Sequence, residues 1–111
     1  MEEKDVITIL SALAQESRLR IFRRLVRAGV CGMAAGRIAE ELDLPAATLS
    51  FHLKEMKYAG IVNCRKDGRS LIYSANFKGV NNVLGYLMEN CCQPQDDTDI
   101  EPYCESEEIM T

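Results

Sequence analysis

Residues 34–74 read AAGRIAEELDLPAATLSFHLKEMKYAGIVNCRKDGRSLIYS, and this stretch decides the fold. From Ala34 to Leu42 the branched and small apolar side chains fall on one helical face, with two glutamates on the opposite face. Asp43-Leu44-Pro45 then interrupts the helix. Pro45 can open a second helix, because the first helical residue needs no N–H donor. The stretch therefore begins with two predicted helices joined by a tight break.

The second predicted helix continues to Gly60, which supplies a C-terminal stop. Leu49, Leu53 and Met56 recur at i, i+4 and i+7, so we expect them to face the core. The positions left as polar or groove-facing are Thr48, Ser50, His52 and Lys54.

Two short β-rich runs follow, Ile61 to Lys66 and Arg69 to Ser74. They are separated by Asp67-Gly68, the strongest short-range hairpin signal that a sequence offers. Two helices, a tight break and a basic-tipped hairpin are typical of a winged helix-turn-helix, a mostly α-helical fold with a β-hairpin wing. In that fold the second helix, the recognition helix, enters the major groove of DNA. We expect the protein to contact double-stranded DNA through Ala47, Thr48, Ser50, Phe51, His52, Lys54, Lys66 and Arg69.

Length and composition are consistent with one small folded domain. The chain has 111 residues, of which 47% are hydrophobic, and it can bury one modest core. It contains no apolar run of membrane-spanning length and no signal-peptide pattern, so we expect a cytoplasmic protein with no membrane partner. In a reducing cytosol, its five cysteines are expected to be thiols rather than disulfides.

The charge is divided unevenly along the chain. Residues 1–78 hold all 13 basic residues and 9 acidic ones, which gives +4; residues 79–111 hold 8 acidic residues, which gives −8 and a total of −4. DNA phosphates require local positive potential rather than a basic whole protein. The alternative is that the basic residues form an ordinary solvated face of the protein, with no role in DNA binding. The basic residues in question are Arg18, Arg20, Arg23, Arg24, Arg27, Lys54, Lys57, Arg65, Lys66 and Arg69.

We accordingly divide the chain into a DNA-binding and dimerisation domain, residues 1–92, and an acidic flexible tail, residues 93–111. The tail carries Cys104, and we interpret it as a solubilising extension rather than a DNA mimic.

Three further helices are predicted outside this stretch. The first covers Val6 to Ala14, the second runs from Arg18 to Ala28 with Ser17 as N-cap, and the third ends near Pro94. The first and third have apolar faces to spare, and a two-fold homodimer would bury them and place two recognition helices about one DNA turn apart. Alternatively, both helices cap the core of their own monomer. The apolar stripes are Val6, Ile9, Leu10, Leu13; Leu19, Phe22, Leu25, Val26; and Val80, Val83, Leu84, Leu87, Met88.

This order of helices, recognition helix, wing and final helix resembles the ArsR/SmtB family of metal-sensing repressors over residues 6–92. The most specific stretches are TLSFHLK, residues 48–54, and DGRSLIYS, residues 67–74. The resemblance implies a dimeric repressor that occupies its operator when empty and leaves it when an inducer binds. It does not name the inducer, because members of the family carry different sensor sites on the same scaffold.

Two sensor sites of that family lack their ligands in this sequence. The arsenical site before the recognition helix uses a cysteine cluster, and Arg37 to Leu44 contains no cysteine. The zinc site on the last helix uses histidine and carboxylate ligands, whereas residues 80–92 contain no histidine and one acid, Glu89. His52, the sole histidine, would lack partner ligands for zinc, so we expect a DNA contact or a packing residue.

Asn90-Cys91-Cys92 resembles the arsenite-responsive branch, in which a cysteine pair at the end of the last helix joins a third cysteine in the tail. Thiolates select thiophilic ions, and trivalent arsenic takes three sulfurs in a pyramid. Adjacent helical residues diverge by about 100°, so Cys91 and Cys92 can share an ion only where the helix frays. Cys104 lies 12 residues beyond Cys92, within reach of a flexible tail. The resemblance implies Cys91, Cys92 and Cys104 as ligands of As(III) or Sb(III), acting as inducer.

Several alternatives remain open at this stage. The cysteines could form a thiol-redox or persulfide switch, or be incidental exposed residues. The chain could also be a metalloid-binding module without DNA binding, since Ala46 and Ala47 offer little hydrogen bonding at the start of the recognition helix.

An enzyme is the least favoured interpretation, and we expect no catalytic cofactor. Cys31 and Arg37 have the C-x5-R spacing of phosphatase and arsenate-reductase loops, but that chemistry needs the cysteine at the end of a strand. Here the preceding Phe22 to Val30 is predicted to be helical, which puts Cys31 in an interhelical loop. Cys64 alternates with Val62 on the wing and is predicted to be a packing residue.

Overall fold

The structure is a computed structural model, which describes residues 1–91. Within them, five helices surround one apolar core, and a small sheet closes one side of it. The elements are α1 Glu3–Leu13, α2 Glu16–Ala28, a 3₁₀ turn Gly29–Cys31, β1 Met33–Ala34, α3 Ala35–Leu42, α4 Ala46–Ala59, β2 Val62–Asp67, β3 Ser70–Ala75 and α5 Phe77–Leu87. The winged helix-turn-helix fold predicted from the sequence is confirmed.

The helix-turn-helix pair follows the predicted signals closely. Asp43, in the left-handed region with φ 55°, ends α3, and the Leu44 N–H donates to the Ala39 carbonyl at 3.0 Å. Pro45 is the N-cap of α4, the recognition helix, and Gly60 caps its other end at φ 84°. Gly60 therefore acts as predicted, whereas Pro45, predicted to be the first helical residue, lies one position before it.

The start of α2 differs from the prediction. Its N-cap is Gln15, not Ser17, and the Gln15 side-chain oxygen accepts a hydrogen bond from the Arg18 N–H at 2.8 Å. Gln15 has extended backbone angles, so its amide oxygen can turn back to an N–H that has no partner inside the helix. The helix therefore begins two residues earlier than predicted, at Glu16.

The wing contains two differences from the sequence prediction. Its two-residue turn is Gly68-Arg69 rather than Asp67-Gly68, because Asp67 pairs with Ser70 in the ladder. Gly68 has φ 64°, and glycine at the first of two turn residues suits hairpins whose second turn residue keeps a negative φ. Arg69 consequently sits at the tip of the wing.

The second difference is a third strand. The short β1 pairs antiparallel with β3, so the sheet order is β1-β3-β2. Gly32, at φ 74°, precedes β1, and any side chain there would collide with the carbonyl oxygen of Tyr73. The approach of two backbones therefore requires glycine at this position.

Side chains from all five helices and the sheet form the core. The predicted inward positions Leu49, Leu53 and Met56 are buried. Leu10, Leu19 and Val26, which belong to the apolar stripes predicted for α1 and α2, are exposed, because a monomer of this size covers only part of each stripe. The largest fully buried side chains are Ile21, Leu25, Ile38, Leu49, Leu53, Met56 and Ile61.

The last helix is shorter than the sequence suggested. It ends at Leu87, with Met88 as C-cap, instead of continuing towards Pro94, which lies outside the described residues. None of the helices within residues 1–91 combines the length and apolar character that crossing a bilayer requires.

Candidate nucleic-acid interface

One side of α4 presents polar and aromatic side chains to solvent. Because residues three and four apart share a helical face, the side chains at 47, 50, 51 and 54 form one surface, and Thr48 lies at its edge. Phe51 is 57% exposed, so its ring is available for contact with a partner. The exposed residues are Ala47, Thr48, Ser50, Phe51 and Lys54.

His52 does not belong to this surface, and its placement at a groove-facing position needs correction. The side chain is buried, only 8% exposed, and lies on the same side of α4 as Leu49, Leu53 and Met56. The Arg18 guanidinium Nη1 lies 3.4 Å from its Nδ1. Burial, and secondarily the charge of Arg18, lower the pKa of His52. The location matches the packing alternative raised from the sequence.

The wing carries the other cations that the sequence singled out. Lys66 on β2 and Arg69 at the turn are exposed. Neither takes part in a salt bridge with any of residues 1–91. Uncommitted cations at the tip of a hairpin are suited to meet DNA phosphates beside the groove that holds a recognition helix.

The arginines of α2 are less available than their number suggests. The Arg18 Nε donates to the Ala12 carbonyl at 2.8 Å and so ties α2 to the end of α1. Arg20 pairs with Glu16 at 3.0 Å. Three of the five α2 arginines, Arg24 included, have partners within the chain.

Arg24 joins α2 to α3 through Glu41. Its Nε and Nη2 donate to the two Glu41 oxygens at 2.7 and 3.3 Å, and Arg37 donates to the same carboxylate at 3.3 Å. The hydrogen bond with Arg24 holds the pKa of Glu41 below its usual range and raises that of Arg24. This network orients the first helix of the helix-turn-helix, and sequence reasoning missed it because it links residues 17 positions apart.

A second unforeseen contact connects the recognition helix with α5. The Asn76 Nδ2 donates to the Gly60 carbonyl at 2.7 Å, while its Oδ1 accepts from the Gly79 N–H at 3.2 Å. Asn76 therefore caps the start of α5 and the end of α4 at once. Asparagine before an apolar helical run was a signal for the first role, but nothing local indicates the second.

Of the three proposed sensor cysteines, only Cys91 belongs to the residues that the structure describes. Cys91 is exposed and lies in a turn beyond α5, where its N–H donates to the Met88 carbonyl at 3.0 Å. Cys92 and Cys104 lie outside the described residues. Residues 1–91 contain no group of three or more potential metal ligands.

The structure also describes Cys31 and Cys64, which lie far in sequence from the Cys91-Cys92 pair. Cys31 is exposed at the end of the 3₁₀ turn and follows a helical segment, as predicted. Cys64 on β2 is half-buried opposite Tyr73. Burial, followed by a hydrogen bond with Cys64, raises the pKa of the Tyr73 phenol.

The chain is similar to known regulators of transcription. A family described as a helix-turn-helix domain matches residues 13–65. The transcriptional activator HlyU of Vibrio cholerae is 29% identical over 87 residues, 78% of each chain. Its solved structure gives a TM-score of 0.65 at 28% identity, covering 84% of this chain and 100% of that one.

Two further relatives extend the comparison. The arsenical resistance operon repressor of Staphylococcus aureus is 31% identical over 87 residues, 78% of this chain and 81% of its own. A homodimeric winged helix-turn-helix domain from Mycobacterium bovis shares the fold, with a TM-score of 0.64 at 22% identity over 85% of this chain and 84% of that one. With its exposed recognition helix and basic wing, the chain belongs to the ArsR family of winged helix-turn-helix transcriptional regulators.

Proposed function

We propose that this ArsR-family regulator is a cytoplasmic, homodimeric repressor that leaves its operator when As(III) or Sb(III) binds Cys91, Cys92 and Cys104. The observation that carries the proposal is the position of Cys91, which is exposed in a turn beyond α5 instead of held on the helix. The relative from Staphylococcus aureus, named for arsenical resistance, supports the choice of inducer.

Operator reading is assigned to the exposed side of α4 and to the wing. Thr48 and Ser50 offer hydroxyls for base edges, Lys54 offers a cation, and Phe51 offers an apolar surface for a thymine methyl. Lys66 and Arg69 would meet phosphates or the minor groove beside the recognition helix. His52 is left out of this set, because a buried imidazole cannot reach a base.

The dimer is proposed from the apolar residues that α1 and α5 leave in solvent. These two helices pack against each other, so their exposed side chains lie on neighbouring surfaces. Such a surface favours burial against a second copy, and the homodimeric Mycobacterium bovis domain has the same fold. The residues are Ile7, Leu10, Leu84, Leu87 and Met88, with exposures between 41% and 62%.

A change at Leu87 tests this surface. Leu87→Glu should convert the dimer to monomers in sedimentation equilibrium, because it places a charge at the proposed contact. Val30→Glu is the matched control, since Val30 is 79% exposed but lies within the 3₁₀ turn, outside α1 and α5. A Leu87→Glu protein that stays dimeric would exclude α5 from the interface.

The sensor geometry follows from where α5 ends. On a continuous helix, adjacent cysteines diverge by about 100° and do not converge on one ion. Because α5 stops at Leu87, Cys91 is released from that constraint. The thiolates of Cys91, Cys92 and Cys104 would then supply the three soft donors that trivalent arsenic prefers. The proposal requires no ligand from residues 1–90.

Coupling to DNA is assigned to Asn76. It holds the start of α5 to the end of α4, so a shift of α5 on inducer binding would move the recognition helix. A coupling of about 1–3 kcal/mol would suffice for a 5- to 150-fold loss of operator affinity.

The deciding experiment measures operator binding by the purified full-length protein under reducing conditions, with and without arsenite. We expect binding without arsenite and release with it. Cys91→Ser, Cys92→Ser and Cys104→Ser should each bind the operator but resist release, whereas Cys31→Ser and Cys64→Ser should respond as the parent does.

Other outcomes separate the alternatives. Release by oxidant but not by arsenite would replace metalloid sensing with thiol-redox sensing. If the protein binds no DNA either with or without arsenite, the remaining alternative is a metalloid-binding module without DNA binding. A Cys104→Ser protein that releases normally would remove Cys104 from the ligand set.

A further inference from the structure

A groove on α2 has no role in the proposed operator reading or metalloid sensing. It is a cavity of about 230 Å³, open to solvent, on the side of α2 that meets the end of α3. Its lining residues are Leu19, Arg20, Arg23, Arg24, Arg27 and Leu42, and we call it the α2 arginine groove.

Two of its four arginines lack a counter-charge within the described part of the chain. Arg20 pairs with Glu16, and Arg24 pairs with Glu41. Arg23 and Arg27 form no salt bridge with any of residues 1–91. They stand at i and i+4 on one helical face, where like charges destabilise a helix. A carboxylate between them would relieve this repulsion, and guanidinium groups bind carboxylates in bidentate fashion.

The groove is apolar as well as basic. Leu19 is 46% exposed, and the half-buried Leu42 lies beside it in the lining. An isolated phosphate or acetate would satisfy the arginines but leave Leu19 in water. A segment that mixes carboxylates with apolar side chains matches both features.

The chain itself contains such a segment. Residues 96–108 hold seven carboxylates and no lysine or arginine, and Ile100 and Tyr103 are interspersed among the acids. The segment begins five residues beyond Cys91, the last described residue. Its charge therefore complements that of the groove, and its apolar residues complement Leu19.

The chain from Cys91 to Tyr103, within the segment, is twelve residues long. Each residue spans up to about 3.3–3.6 Å when extended, so a dozen residues span about 40 Å. A tether of this kind also gives an effective concentration in the millimolar range, so a weak contact suffices.

We propose that residues 96–108 dock in the α2 arginine groove of the same chain, with carboxylates on Arg23 and Arg27 and apolar side chains on Leu19. Docking neutralises Arg23 and Arg27, two of the cations that give residues 1–78 their positive charge and so their sequence-independent attraction to DNA. It therefore lowers affinity for non-operator DNA while leaving the recognition helix free. Docking itself requires neither arsenite nor the cysteines and is tested without arsenite, although Cys104, a proposed arsenic ligand, lies within the same segment.

Cross-linking in the full-length chain tests the contact. An Arg27→Lys variant keeps the positive charge and gains a primary amine. A carbodiimide couples this amine to a nearby carboxylate, which forms an amide with net loss of water. We expect a link from position 27 to an acid among residues 96–108, and its loss at about 1 M salt, where the Debye length falls to about 3 Å.

The controls are the native Lys66 and an Arg65→Lys variant, both on β2 and exposed. Equal linking of residues 96–108 to these positions and to position 27 would overturn the proposal. Mixing isotopically heavy and light chains separates links within one chain from links between chains, and links only between chains would also overturn it.

A second measurement does not depend on altering α2. The full-length variant with Asp96→Asn, Asp97→Asn, Asp99→Asn and Glu101→Gln should shift the backbone amide resonances of Arg23 and Arg27. Its affinity for random DNA should rise. Shifts confined to Ser50 and Arg69 would mean that the segment covers the reading surface instead, and unchanged resonances would mean that it covers neither.

Discussion

Arg18 joins the end of α1 to the recognition helix by contacting His52. Its Nε donates to the Ala12 carbonyl at 2.8 Å, and its Nη1 lies 3.4 Å from the His52 Nδ1. A guanidinium has only donors, so a hydrogen bond here requires Nδ1 of a neutral ring to accept, which assigns the ring proton to Nε2. A protonated ring would set two cations against each other in a buried site. The contact therefore depends on the protonation state of His52.

This relationship predicts a pH dependence of stability. Burial and the charge of Arg18 lower the pKa of His52 below 6.5, so the unfolded chain binds a proton that the folded chain excludes. The contribution to stability is complete above about 6.5 and is lost as the pH falls through the folded-state pKa. Urea unfolding across this range measures it.

The matched control is His52→Gln, which removes the only histidine of the sequence. The slope of stability against pH should flatten between about 6.5 and the carboxylate range near 4.5. An unchanged slope in this variant would show that another group titrates there.

Asn76 is predicted to stabilise the junction of α4 and α5 with both ends of its amide. Asn76→Ala should lower the free energy of unfolding by about 1–2 kcal/mol, because a helix cap is lost and the Gly60 carbonyl loses its donor. Asn76→Asp retains the acceptor for the Gly79 N–H but not the donor, so it separates the two contributions. Equal stability of all three proteins in urea would contradict the assignment.

Gly32 is predicted to tolerate no side chain. Gly32→Ala should lower the free energy of unfolding by about 1–3 kcal/mol, because φ is 74° and the new methyl group would meet the Tyr73 carbonyl. Gly36→Ala on α3 is the control, since nothing lies within 4 Å of a Cβ there. That change should be neutral or stabilise by up to about 1 kcal/mol. Thermal unfolding of the pair distinguishes a steric requirement from a general effect of glycine replacement.

Arg69 and Ser50 are predicted to affect DNA binding in different ways. Arg69→Ala should weaken binding to all sequences and reduce the salt slope by about 0.9, the effect of one lost phosphate contact. Ser50→Ala should instead reduce the preference for the operator over random DNA, because a base-edge contact carries sequence information. Fluorescence anisotropy against salt concentration measures both. Parent-like binding by both variants would move the interface elsewhere.

Local patterns in the sequence determined the fold class and the extent of the recognition helix. Pro45 and Gly60 delimit the recognition helix because the restrictions of proline and glycine act within a few residues. Leu49, Leu53 and Met56 are buried because helical periodicity alone puts them on one face. The exposed positions on α4 followed from the same periodicity, which is why most of the candidate reading surface was predictable.

Only the tertiary structure decided the burial and the hydrogen-bond partners of side chains that meet residues distant in sequence. His52 is buried because α2 brings Arg18 to it across 34 positions, which no helical period encodes. Arg24 is committed to Glu41, and Asn76 to Gly60, for the same reason. The sequence showed which side chains carry charge and hydrogen-bonding groups, but packing decided which of them were already occupied, because each partner came from a different element.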